Sequence, residues 1–208
     1  MPDWSLERAA LAGGARLVCG IDEAGRGPWA GPVVAGAAVL EFENLGDTLL
    51  SGLDDSKKLK PQAREELFEE LKGRARIGVG IAEVDEIDSL NILQATMLAM
   101  ARALADLGAP APDLALVDGN RAPDLPCAVQ TVIKGDGLSL SVAAASIVAK
   151  VSRDRMMAAL DRDHPGYGWA RNAGYGTAEH QRALAKLGVT PAHRRSFAPI
   201  RKILSPDD

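Results

Sequence analysis

Apolar and polar positions fall along this chain in two kinds of block, short ones of strand length and longer ones with helical spacing. Residues 17–22, 32–40 and 75–84 run apolar or alternate over strand length, and Gly and Pro between the first two predict a tight connection. Two further blocks of this kind follow, at 113–118 and 128–133. Residues 62–72, directly after Pro61, predict a short helix, because proline suits a first helical turn. Residues 88–108 predict one long helix, with Leu90, Leu93, Met97, Met100, Leu104 and Leu107 three or four apart on one face. That stripe is too short for a coiled coil and fits a helix packed on a sheet. Gly108 stops it, with Pro110 and Pro112 just beyond. Residues 138 to about 160 predict a third helix, in which Ala143, Ala144, Ala145 and Ser146 permit close packing. The remainder reads as helical and loop-rich, and the order of elements is that of an α/β fold.

Composition bounds this picture. A chain of 208 residues, 47% of them hydrophobic, can bury a full core in one domain, and no repeat, low-complexity tract or linker divides it. No apolar run approaches the roughly 20 residues of a membrane span, and residues 1–16 have no signal-peptide core, so a cytoplasmic protein without a membrane partner is expected. Cys19 and Cys127 form no paired metal spacing and read as reduced thiols. The net charge of −4 argues against a nonspecific nucleic-acid coat, but its distribution is uneven. From Arg171 to Lys202 every charged side chain except Glu179 is basic, and Ser56-Lys57-Lys58 adds a second small basic cluster. His164, His180 and His193 form no metal-binding pattern and are expected to be structural or on the surface.

Chemistry enters where the apolar runs stop. The first ends in adjacent carboxylates, Asp22 and Glu23, and then in Gly25-Arg26-Gly27. Such acids repel one another unless a cation or donors meet them. The glycines let a ligand approach the backbone, and Arg26 between them offers a fork that suits phosphate. The fourth run ends in Asp118-Gly119, and Asp136 precedes the third helix, where it fits either a helix cap or a ligand. Each segment alone also fits an ordinary turn. In open α/β sheets ligands bind at the C-terminal ends of strands, and a parallel neighbouring pair would bring Asp22 and Asp118 together. Adjacent residues of a strand face opposite sides, so Asp22 and Glu23 converge only if the strand bends at Ala24–Gly25, and that bend is expected. Asp22, Glu23, Asp118 and Asp136 could hold one or two hard divalent ions, Mg²⁺ or Mn²⁺, since no close Cys/His set accompanies them.

The segments Gly20–Pro28, Asp54–Leu59, Val117–Gly119, Lys134–Asp136, Ala143–Lys150, Gly174–Thr177 and His193–Phe197 occur in this order. Together they resemble the bacterial type 2 ribonucleases H, ribonuclease HII, from Arg16 to about Lys202. The resemblance implies an α/β fold with a ribonuclease H-like mixed five-stranded sheet flanked by helices, and a C-terminal helical segment that closes over the substrate. It implies an N-terminal extension over 1–15, a catalytic domain over 16–203 and a tail over 204–208, and a monomer. Asp22, Glu23, Asp118 and Asp136 match the catalytic carboxylates, and Gly25, Arg26 and Gly27 the loop that senses a ribose 2′-hydroxyl. Tyr175 matches the aromatic that packs on the neighbouring sugar, and Ser56, Lys57 and Lys58 would touch backbone phosphates. Gly137 and Gly176 depart from the usual pattern, which has Ala or Ser at the first and Pro or Ala at the second. The implied partners are RNA–DNA hybrid and ribonucleotide-containing duplex DNA, cut on the 5′ side of a ribonucleotide with two metal ions about 4 Å apart. Two other readings remain open. A resolvase-type nuclease would share the carboxylates without a 2′-hydroxyl sensor, and a noncatalytic hybrid-binding module would need the basic face without four acids.

Overall fold

The computed structural model describes residues 1–205, so the tail expected over 204–208 lies outside the described residues from 206 onward. The five apolar blocks form strands β1 (Val18–Ala24), β2 (Val33–Leu40), β3 (Ala75–Ala82), β4 (Leu114–Asp118) and β5 (Ala128–Val132). They pair into one mixed sheet in the order β3-β2-β1-β4-β5. β2 runs antiparallel to both of its neighbours, whereas β1, β4 and β5 are parallel. This is the architecture that the resemblance implies, with the carboxylate-bearing β1 at the centre.

Helices close the sheet on both faces. The helices are α1 (Ser5–Ala12), α2 (Asp47–Gly52), α3 (Pro61–Arg74), α4 (Val84–Leu90), α5 (Ile92–Asp106), α6 (Leu140–Asp163), α7 (Trp169–Asn172), α8 (Ala178–Leu187) and α9 (Ala198–Leu204). Ala95, Ala99, Met100 and Ala103 of α5 are buried with Cys19, Ile21, Val33, Ala35 and Ala37 of the sheet. The alanines of α6 cover the other face, where Leu49, Leu67, Phe68 and Leu71 of α2 and α3 join them. The helix backbones lie directly on the strands. A Cβ on Gly36 would fall 2.3 Å from the Ala145 carbonyl oxygen, and one on Gly80 2.0 Å from that of Ala99. Among the described residues no helix is long and apolar enough to cross a membrane.

The helix expected over 88–108 is two helices. Asn91 breaks it with φ +71°, and its side-chain oxygen accepts from the amides of Leu93 (3.0 Å) and Gln94 (3.2 Å), capping α5. Asparagine tolerates the left-handed region and caps well, and both properties outweigh the apolar stripe.

Residues before β1 also fold. Glu7 of α1 is 1% exposed, and its Oε1 accepts from the hydroxyls of Ser139 (2.5 Å) and Ser141 (2.6 Å) and from the Ser141 amide (2.9 Å). Asp3 exchanges main-chain hydrogen bonds with Leu138 and Leu140. The N-terminal segment thereby clamps the start of α6, just beyond Asp136.

At the other end, Tyr167, Trp169, Leu184 and Ile200 gather around Met157 of α6 and Ala30 as a third buried cluster. Residues 192–194 run antiparallel to 29–31, with Gly31 donating to Ala192 and Arg194 donating to Trp29. The C-terminal segment is thus stitched to the connection between β1 and β2.

Candidate active site

The parallel register of β1 and β4 sets Ile21 opposite Val117, so Asp22 and Asp118 leave the sheet side by side. Asp22 is 4% exposed and accepts the Glu23 amide at 2.7 Å. Asp118 accepts the Gly135 amide at 2.7 Å, which ties the end of β4 to the 3-10 turn Gly135–Gly137 that carries Asp136. Asp136 does not cap α6. Ser139 does, its hydroxyl accepting from the Val142 amide at 3.1 Å.

These acids are held against their own charge. Burial first, then repulsion from Glu23 and Asp118, keeps the Asp22 carboxyl well above the usual carboxylate range. Burial raises Glu23 as well, against the pull of Arg26, whose Nη1 lies 3.3 Å from Glu23 Oε1. Burial, with Asp55 and Asp118 close by, raises Asp136. Lys57 faces the same group. Partial desolvation of this exposed lysine opposes the charge, and the attraction of Asp22, Asp55, Asp136 and Asp118 overcomes that, so its pKa is raised.

Among the described residues no three Asp, Glu, His or Cys side chains are already gathered as an ion site. The donor set nonetheless fits a hard cation, being all oxygen, mutually repelling and short of positive charge. The ladder runs regularly through Ala24, so the chain turns only at Gly25 (φ +98°), after the two acids. Asp22 therefore faces α6 and Glu23 the opposite side, and they meet only at the rim of the sheet.

Beside the acids, a second recess of about 390 Å³ is lined by Gly25, Arg26, Gly27, Lys57, Lys150 and Tyr175. Lys57 also borders the acid-side cleft of about 720 Å³ that holds Asp55, Asp118 and Asp136, so the two recesses share a wall. Tyr175 is 49% exposed, and a Cβ on Gly27 would lie 3.3 Å from its ring. The loop is held from beneath by two arginines with almost no exposure. Arg194 donates to the carbonyls of Gly25 (2.6 Å), Arg26 (3.0 Å), Gly31 (2.9 Å) and Pro32 (3.0 Å). Arg153 donates to Ala30 (3.2 Å), Pro32 (2.9 Å) and Ala173 (3.0 Å). A Cβ on Gly25 would fall 1.9 Å from Arg153 Nε, so the loop requires glycine for space as well as for its φ. Burial lowers Arg153 to about 10 and Arg194 to about 9, which leaves both charged at neutral pH.

The members of the basic cluster Ser56-Lys57-Lys58 differ in their surroundings. Ser56 is buried in the wall of the second recess, where its hydroxyl accepts from that of Ser146 at 2.7 Å, a bond that supports the loop against α6. Lys57 turns toward the acids, and Lys58 pairs with Asp54 at 3.0 Å on the surface. Asp55, Lys150 and Arg153 line the two recesses, and Arg194 lies beneath the loop, without a role having been assigned to them from the sequence. Arg194 lies in the quoted His193–Phe197 segment, but nothing in its neighbours marks a buried arginine.

A family model described as Ribonuclease HII matches residues 19–200. The chain belongs to the ribonuclease HII family. It is an endoribonuclease, and the matched stretch contains every acid of the cleft, the glycine loop and Tyr175. It is 60% identical over 204 residues to the ribonuclease HII of Paramagnetospirillum magneticum, covering 98% of this chain and 99% of the relative. To that of Rhodospirillum rubrum it is 61% identical over 207 residues, covering 99% and 93%. Among solved structures, the ribonuclease H2 from Pyrococcus horikoshii OT3 superposes with a TM-score of 0.74 at 31% identity, covering 90% of this chain and 96% of that one. Bst-RNase HIII in complex with Mn²⁺ shares the fold, with a TM-score of 0.74 at 22% identity over 91% of this chain and 70% of that one. Of the two departures from the ribonuclease HII pattern, Gly176 has a local cause. A Cβ there would fall 2.1 Å from the Trp29 ring, whereas one on Gly137 meets nothing within 4 Å.

Proposed function

We propose that the chain hydrolyses the RNA strand of RNA–DNA hybrids and also incises duplex DNA on the 5′ side of a single embedded ribonucleotide, leaving 3′-hydroxyl and 5′-phosphate ends. Membership of the ribonuclease HII family supports cleavage of hybrids by a metal-dependent endonuclease. The finer reading rests on one observation: the acid cleft and the recess of Gly25, Gly27 and Tyr175 share Lys57 as a wall, so a sugar and its adjoining phosphate can occupy both at once.

In this reading Asp22, Glu23, Asp118 and Asp136 hold the divalent ions, Mg²⁺ or Mn²⁺. Those ions supply water activation and stabilisation of the leaving 3′ oxygen when bound. The chain's own residues do the rest. The carbonyls of Gly25 and Arg26 are spent on Arg194, which fixes the loop so that its backbone can meet a 2′-hydroxyl without a side chain intervening. The exposed Tyr175 ring packs on the neighbouring sugar, and Arg26, Lys57 and Lys150 receive phosphate charge.

The test is single-turnover cleavage of three duplexes, an RNA–DNA hybrid, DNA with one ribonucleotide and all-DNA, at saturating Mn²⁺. The first two are cut and the third is not. Tyr175→Ala slows cutting at the lone ribonucleotide at least about tenfold, ~1.4 kcal/mol of barrier, and Tyr175→Phe slows it less. Equal cutting of all three duplexes defeats the sugar-sensing reading.

A further inference from the structure

Two buried histidines lie behind Tyr175 and take no part in the chemistry above. His180 and His193 are both fully buried, their Nε2 atoms 3.0 Å apart. Their partners leave one assignment of protons. The Thr190 amide, an obligate donor, meets His193 Nδ1 at 3.0 Å, so that nitrogen accepts and the proton sits on Nε2. The Trp169 indole N–H, another obligate donor, meets His180 Nε2 at 3.1 Å, so that nitrogen accepts and the proton sits on Nδ1. His180 Nδ1 in turn lies 3.0 Å from the carbonyl oxygen of Tyr175, an obligate acceptor. The hydrogen bonds therefore run in one direction, from the Thr190 amide through His193 and His180 to the Tyr175 main chain. A second proton on either ring would set two donors against each other, and burial depresses both histidines accordingly, His193 to about 4.

The place where this chain of bonds ends gives it a function. His193 forms the bridge to Ala30, and its neighbour Arg194 holds the carbonyls of Gly25 and Arg26. Consecutive residues thus govern the two sides of the sugar recess, Arg194 the glycine loop and His193, through His180, the tyrosine. Helix α8 begins at Ala178, so the Tyr175 carbonyl lies in a short non-helical link. It is held there by the Thr177 amide at 2.8 Å and by His180.

We propose that His180 and His193 are positioning residues of the sugar recess, a neutral imidazole pair that sets where Tyr175 stands relative to Gly27. This rests on the reading of Tyr175 as the residue that packs on the sugar. Both histidines are fully buried and lie out of a substrate's reach.

The experiment is a double-mutant cycle on the full chain, reading single-turnover cleavage of DNA with one ribonucleotide for wild type, His180→Phe, Tyr175→Ala and the double variant, with thermal unfolding in parallel. His180→Phe keeps a planar ring of similar volume and lacks the donor. It is expected to slow cleavage about five- to tenfold, and the double variant to be no slower than Tyr175→Ala alone. His180→Asn, whose amide nitrogen stands near the place of Nδ1, is expected to recover at least half of the wild-type rate. Should His180→Phe not fold, His193→Gln and His193→Leu give the same contrast, since Gln still offers an N–H to His180 and Leu does not. A slow Tyr175→Ala beside a fast His180→Phe overturns the positioning role and leaves the Tyr175 reading standing. Multiplied losses in the double variant overturn it too, because the histidine would then act elsewhere. A Tyr175→Ala variant as fast as wild type defeats the reading beneath it.

Discussion

The two sides of the cleft follow opposite electrostatic plans. On the acid side Asp22 and Asp136 are buried with like charges near them and Glu23 is half-buried beside Arg26, and burial pushes all three carboxyls up. On the sugar side the buried groups are two guanidiniums and two neutral imidazoles, with their hydrogen bonds directed to main-chain carbonyls or to each other. One side is left unfinished, to be completed by cations, and the other is finished before any substrate arrives. The difference teaches where the fold spends stability. Repulsion among acids is tolerated where a ligand will relieve it, whereas the surface that judges a sugar must be rigid beforehand.

The sharpest break of this contrast is on the acid side. Asp22→Asn is expected to lower cleavage about a thousandfold or more, roughly 4 kcal/mol of barrier, while the metal-free protein stays as stable or becomes more so. Asp136→Asn should behave alike in kind. Thermal unfolding in chelator, set beside single-turnover rates, reads both quantities. A clear loss of metal-free stability would mean that these acids are structural.

On the sugar side the sign reverses. Arg194→Met removes the donor to four buried carbonyls and is expected to destabilise the fold by about 3 kcal/mol, measured by urea unfolding. Arg194→Lys retains the charge but not the fork, and recovers only part of this. Stability unchanged in Arg194→Met would show that the loop holds itself.

Acidity separates the two sides next. His193 is depressed from 6.5 to about 4, so its contribution is complete above pH 6.5 and is lost as the pH falls toward 4. Up to about 3 kcal/mol is at stake. Asp22, Glu23 and Asp136 are raised, so they favour the metal-free fold below the ordinary carboxylate range and cost stability as the pH rises through their folded values. Unfolding followed from pH 7 to 4 in chelator should therefore be flatter for His193→Gln than for wild type. A parallel slope in the two proteins would remove His193 as the cause.

The smallest effect lies on the rim. Lys58 is exposed and paired with Asp54, and an exposed pair contributes little to stability. Lys58→Ala should weaken binding of every duplex a few-fold and reduce the slope of log K against log salt by about one, with the cleavage position unchanged. A shifted cut would move Lys58 from the rim into the register of the site.

Much of this molecule was legible in the residues. The five apolar runs are the five strands, and the acids that end two of them stand together because the strands are parallel neighbours. The glycine loop could be read from local spacing, since a turn that admits a ligand needs glycine, whereas Tyr175 came only from the resemblance to ribonuclease HII. The break at Asn91 was hidden by an apolar stripe that runs across it, and nothing beside Ser56 in the sequence marks its burial against Ser146.

What the sequence by itself determined is the order of elements, the chemical type of the acids and the permissive backbone at residues 25–27, all properties of near neighbours. Tertiary structure alone decided that Arg153 and Arg194, 41 positions apart, would lie buried beneath one loop. It also decided that His180 and His193 would share a proton arrangement ending on Tyr175. A buried arginine or histidine is made by the carbonyls and rings that surround it, and those arrive from distant parts of the chain. No local pattern records them.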